Sequence, residues 1–194
     1  MAEPARKLAI TFAEYLQQER ASETKHEFLA GEIFAMAGGT IEHGRLAIKV
    51  ASLLSAQLGG RPCELLSSDV LVRVLATGLG TYPDLSVVCG RIETDPENAN
   101  SLTNPVVLVE VLEGGTEAYD RGEKFAHYRR IPSLREYVMV SQQKRRIEVY
   151  RRNEDESWTL YEAGAGQSAK LASIGCELSV DEVYRSALEG AGEG

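Results

Sequence analysis

Apolar and polar positions along this chain fall into short blocks of contrasting period. The run Val106-Val107-Leu108-Val109-Glu110-Val111-Leu112 is apolar on both faces except for one acid. That pattern predicts a central strand covered on each side. Residues 137–140 and 147–150, parted by a turn over 142–144, predict a hairpin. Residues 26–29 and 32–36, parted by Ala30-Gly31, predict another. Strands are also predicted over 63–66, 70–75, 84–89, 158–161 and 170–173, with a turn at Thr77-Gly78-Leu79-Gly80 and a polar connection over 91–104.

Helical spacing is rarer. Thr11 followed by Glu14 is a capping box, which starts a first helix over 12–19. After the break at Gly38-Gly39, Leu46, Val50, Leu53, Leu54 and Leu58 form one apolar stripe that stops at Gly59-Gly60. A helix over 117–130 carries Lys124, Phe125 and Tyr128 and is stopped by Pro132. Ser179 with Glu182 caps a short last helix, and the tail 189–194 is expected to fray. No repeat and no linker divides the chain. The pattern therefore predicts one α+β or mixed α/β domain over 1–194, with its core at about 11–184 and helices on a mixed sheet.

Composition narrows the class. The 194 residues are 43% apolar and 26% charged, as in ordinary globular proteins. No apolar run approaches the roughly 20 residues needed to span a bilayer, and no membrane role is expected. The opening MAEPARKLAITFAEYL lacks a secretory apolar core. Three scattered cysteines (Cys63, Cys89 and Cys176) argue against a disulfide framework and against a cysteine zinc site. The expectation is a cytoplasmic protein. The net charge of −8 is uneven: between 121 and 152 ten Lys/Arg face three acids, so that segment is +7 and the remainder −15. Such a basic stretch on an acidic body can hold phosphates, or it is a solvated helix and hairpin.

The chemistry concentrates in two acids. A lone ionised Glu110 in an apolar strand costs several kcal/mol unless a cation or donors meet it. Asp84, in Tyr82-Pro83-Asp84, heads another predicted strand, and Lys124 follows on the helix. Two acids at neighbouring strands with a nearby lysine suggest a site for a hard divalent metal. The structural alternatives are a turn acid at Asp84 and a buried ion pair between Glu110 and Lys124.

Five ordered blocks extend that reading: KHEFLAGEIFAMAG, SSDVLVRV, YPDLSVV, VVLVEVLEGGTEAYDRGEKFAHYR and SLREYVMVSQQKRRIEVYRR. Together they resemble the Uma-type putative endonuclease family, a branch of the PD-(D/E)XK nuclease superfamily. The resemblance covers about 11–184 and implies a restriction-endonuclease-like fold. It implies that Asp84 and Glu110 hold Mg²⁺ or Mn²⁺, with the carbonyl of Val111 as a third ligand. It also implies that the metal activates a water against a phosphodiester of DNA. Glu27 and Asp69 are further candidate metal ligands. Where the superfamily has lysine two residues after the strand acid, this chain has Leu112, so the resemblance moves that role to Lys124. Tyr128, four residues on, is a candidate to bind a phosphate or hold Lys124. A second departure is Glu113-Gly114-Gly115, where the family commonly has Ser-Pro-Ser. No small-molecule cofactor is expected, and the superfamily's habit of cutting two strands implies a homodimer.

His26, His43 and His127 show no zinc spacing; His43 falls in IEHGRLA, a block where the resembled family often has His, and helix-surface packing explains it equally well. Of the aromatics only Tyr82 is placed to line a site. Three readings stand at this point: a metal-dependent endonuclease, a non-cleaving nuclease-like domain that binds nucleic acid or a protein, and a structural domain.

Overall fold

A computed structural model describes residues 9–36 and 38–186; the tail 189–194 lies outside the described residues. The first half runs α1 (Phe12–Ala21), β1 (His26–Leu29), β2 (Glu32–Ala35), α2 (Ile41–Leu58), β3 (Cys63–Ser67), β4 (Leu71–Val74), β5 (Leu79–Thr81) and β6 (Leu85–Cys89). It continues with β7 (Thr94–Asp95), β8 (Asn98–Leu102) and β9 (Val107–Leu112). A broken helix follows: α3 (Glu117–Tyr119), a π-helical turn (Asp120–Lys124) and α4 (Phe125–Tyr128). Last come β10 (Glu136–Ser141), β11 (Arg146–Arg152), β12 (Trp158–Gly164), β13 (Ser168–Leu171), β14 (Cys176–Ser179) and α5 (Val180–Tyr184).

Two six-stranded mixed sheets carry the architecture, in the orders β2-β1-β5-β4-β8-β7 and β12-β11-β10-β9-β6-β3, with β13–β14 as a separate hairpin. In the second sheet β9 is central: Val109 lies opposite Val138 of parallel β10 and Leu85 of antiparallel β6. Strand alternation then sends Val107, Val109 and Val111 to one side, packed with Leu46, Val50 and Leu54 of α2. Leu108 and Leu112 go to the other side, packed with Val72 and Leu79 of the first sheet and with Tyr128. Glu110 shares that second side. Each fully buried Val or Leu in these layers contributes about 1.5–3 kcal/mol, which sets the register of β9.

Most predicted elements lie where the pattern puts them, and the exceptions have physical causes. The expected turn at 77–80 ends in strand β5, where Gly80 pairs with Phe28. A Cβ on Gly80 would stand 3.3 Å from the Phe12 ring, so a residue that weakens a strand by propensity is what lets the sheet close. The polar connection over 91–104 contains β7 and β8, because ladder pairing needs backbone rather than apolar side chains. Its buried Asp95 lies 3.6 Å from Arg73. The hairpin turn conforms: Ala30 and Gly31 both have positive φ, 52° and 86°.

The cysteine expectation is overturned. Cys63 and Cys89 form a disulfide. Antiparallel pairing of β3 with β6 sets the two directly opposite each other, which counting odd cysteines cannot reveal. Cys176 is free and buried. The cysteines therefore no longer support a reducing compartment. No helix among the described residues is long and apolar enough to cross a membrane.

Candidate active site

A cleft of about 680 Å³ opens beside the carboxyl end of β9. Its walls include Lys25 and Glu27 at β1, the Gly38–Gly44 entry to α2, Tyr82 and Asp84 ahead of β6, Glu110 to Glu113, and the face of the broken helix that carries Asp120 and Lys124.

Asp84 is fixed by where a ladder stops. The β6–β9 pairing ends at Leu85 and Val109, so the next inward N–H on that edge, Val111, lacks a β6 partner. Val111 N–H instead donates to Asp84 Oδ2 at 2.7 Å. His43 Nε2, from the first turn of α2, stands 3.2 Å from the same oxygen. This hydrogen bond holds the His43 imidazole above its ordinary range, against burial, with the Asp84, Glu113 and Glu110 charges adding to it. Asp84 lines the cleft, and its Oδ1 has no protein hydrogen bond among the described residues.

Glu110 is met as a buried acid must be. Lys124 Nζ lies 2.9 Å from its Oε1, and the Tyr128 hydroxyl donates to the same oxygen at 2.8 Å. The ammonium is shared: Glu27 Oε1 and Asp120 Oδ1 are each 3.3 Å away. Glu27 is held in turn by donation from Thr81 Oγ1 and, at 3.1 Å, from the Tyr119 hydroxyl. Burial pushes Glu110 up to about 8; Lys124 opposes this, and the Asp84 and Asp120 charges reinforce it. Burial likewise raises Asp120 against the pull of Lys124. For Lys124 itself burial works downward, yet Glu110, Glu27 and Asp120 outweigh it and keep the ammonium charged. Three carboxylates around one ammonium leave surplus negative charge in the cluster.

The predicted residues are thus partly gathered. Asp84, Glu110, Val111, Lys124 and Glu27 meet at the cleft. Tyr128 is buried behind Glu110 and holds that carboxylate, rather than a phosphate or Lys124. Asp69 is elsewhere: its side chain is 80% exposed and pairs with Lys25 at 2.6 Å. Asp120, Tyr119 and Thr81 escaped the reading from sequence, although Asp120 and Lys124 at i,i+4 was a usable signal. His43, for which a family position and helix packing are equal readings from sequence, bonds to Asp84. The basic stretch is largely consumed internally. Arg121 binds Glu148 and Glu117, Arg146 approaches Glu148 and Glu162, Arg151 binds Glu136, and Arg152 donates to main-chain carbonyls. Arg129, Arg130, Arg135 and Lys144 stay exposed.

Among the described residues no group of three or more His, Cys, Asp or Glu is disposed to share a metal ion. Glu27 and Asp120 spend their oxygens on Lys124 and hydroxyls, which leaves the pair Asp84 and Glu110. That donor set still suits Mg²⁺, which takes one or two carboxylates and completes its shell with water and phosphate. The surplus negative charge favours the same fit.

The mixed sheet and its flanking helices define a nuclease-like α+β fold. At 15% identity and a TM-score of 0.72, the chain resembles the crystal structure of a "putative nuclease belonging to DUF820" from Anabaena variabilis, matching 90% of this chain and 98% of that one. Residues 12–181 match the family Uma2, "Putative restriction endonuclease", and the chain belongs to that family. It is 38% identical over 172 residues to "Uncharacterized protein slr1290" of Synechocystis sp., covering 89% of this chain and 90% of that protein. It is 34% identical over 162 residues to "Uncharacterized protein sll1609" of the same organism, covering 84% and 91%.

Proposed function

We propose that this chain is a divalent-metal-dependent endonuclease that hydrolyses phosphodiester bonds in DNA. The observation that carries the proposal is the convergence of Asp84 and Glu110 on one cleft, with the Lys124 ammonium 2.9 Å from Glu110. Asp84 and Glu110 would hold Mg²⁺ or Mn²⁺, which when bound polarises the scissile phosphate and acidifies a water. Val111 N–H and His43 keep Asp84 aimed at the cleft. Lys124 supplies positive charge where the attacked phosphate gains negative charge. The turn after β10 supports a nucleic-acid substrate. Its Gln142 accepts a hydrogen bond from Thr40 of the cleft wall, and Lys144, two residues further on, is exposed. Cutting both strands of a duplex asks for two such sites, so the proposal includes a homodimer.

A second reading is favoured by one observation: three carboxylates already engage Lys124. With Leu112 in place of a strand lysine and Glu113 on the cleft wall, the chain would then bind nucleic acid or a protein without cutting. Calorimetric titration of Mg²⁺ and Mn²⁺ into the intact chain and Asp84→Ala, followed by supercoiled and single-stranded DNA, separates the readings. Metal binding lost with Asp84, together with metal-dependent cutting, is the expected result. Metal-independent DNA binding without cutting would select the second reading.

A further inference from the structure

Lys124 is shared by carboxylates of unequal freedom. Glu110 is the one that the proposed chemistry must draw toward a cation. Asp120 has no such duty: it sits four residues before Lys124 on the same π-helical turn and moves with it. Its second oxygen, Oδ2, accepts from Thr116 Oγ1 at 3.1 Å, and its main-chain carbonyl accepts from the buried Tyr137 hydroxyl at 3.2 Å. Asp120 is only 5% exposed and Lys124 only 4%. A π turn is a wide, poorly bonded segment that tends to persist where it places particular side chains. Here the two side chains buried on that turn are the acid and the lysine.

We propose that Asp120 is the positioning residue of the site: it anchors the Lys124 ammonium at the cleft when Glu110 turns to a divalent cation. The inference rests on the endonuclease reading and deepens it. Without Asp120, a lysine with four rotatable bonds would follow Glu110 or withdraw, and its charge would miss the phosphate. Glu27 bonds to Lys124 as well, but it comes from β1 and not from the lysine's own helix, so it does not share that helix's backbone. Asp120 therefore acts on the reaction through Lys124, without touching metal or phosphate.

The test compares the intact chain with Asp120→Asn, Glu110→Gln, Lys124→Met and the Asp120→Asn/Lys124→Met double variant. Mg²⁺ affinity is read by calorimetry, and kcat and KM on supercoiled plasmid. Asp120→Asn is expected to keep Mg²⁺ affinity within about threefold and KM nearly unchanged while kcat falls by about 100-fold, the scale of an ångström-sized misplacement. Glu110→Gln is expected to lose the metal. The double variant is expected to be no slower than Lys124→Met alone, because Asp120 has nothing left to place. Thr116→Val, which loosens Asp120 from an exposed position, supplies a milder loss of kcat if Asp120→Asn fails to fold. Loss of Mg²⁺ binding in Asp120→Asn, an unchanged kcat, or additive losses in the double variant would overturn the inference while leaving the endonuclease reading intact. An intact chain that neither binds Mg²⁺ nor cuts DNA would overturn both.

Discussion

The Tyr128 hydroxyl and the Lys124 ammonium meet on a single oxygen, Glu110 Oε1, at 2.8 and 2.9 Å from it. One face of a broken helix thus answers one acid of a central strand. No hydrogen bond to the other Glu110 oxygen is present among the described residues.

Removing the cation of this cluster should be costly. Lys124→Met leaves Glu27, Glu110 and Asp120 without their shared ammonium, and urea unfolding in metal-free buffer is expected to show a loss of about 3–5 kcal/mol. Adding Glu110→Gln should restore part of it. A Lys124→Met chain as stable as the parent would refute the network.

Tyr128→Phe deletes one donor and keeps the ring packing against Tyr137. The expected loss in the same assay is about 1.5–3 kcal/mol, the range for a hydrogen bond to a charged group. A neutral change would mean that Lys124 alone satisfies Glu110.

The raised His43 imidazole makes a pH signature. A folded-state value above the unfolded one stabilises the chain fully below the unfolded value, near 6.5, and the contribution fades as pH rises through the folded value. In metal-free buffer the parent should therefore lose stability relative to His43→Asn as pH climbs from 6 to 8. Parallel curves for the two chains would disprove it.

Reducing the Cys63–Cys89 disulfide opens a loop of sequence separation 26. The Cys63→Ser/Cys89→Ser chain is expected to be less stable by about 2–4 kcal/mol, with the fold kept by the β3–β6 ladder. Identical unfolding of parent and variant in oxidising buffer would count against the cross-link.

What could be read in the sequence was what local pattern encodes. The apolar run around Glu110 marked the central strand, and an acid that strand could not tolerate alone pointed to the candidate site. Asp120 shows the limit. It looks like an ordinary acid of a helix until the fold closes, and only then does burial make it a partner of Lys124; Glu27, singled out as a candidate metal ligand, is a partner of Lys124 too. The disulfide and β5 were hidden for a related reason. Each depends on which strand lies opposite, and that is settled by long-range pairing rather than by neighbours in sequence.

The parallel β9–β10 pair has one more implication. Parallel neighbours require a crossover, and here the crossover is the broken helix, so Glu110, Asp120, Lys124 and Tyr128 all lie within one strand–helix–strand unit from Val107 to Ser141. Other walls of the cleft, the β1–β2 hairpin and the approach to α2, come from a separate stretch of chain. Glu27, on that hairpin, and Asp84 lie outside the unit, so the cassette inherited in one piece is Glu110 with Asp120, Lys124 and Tyr128, while the remaining acids vary with the walls.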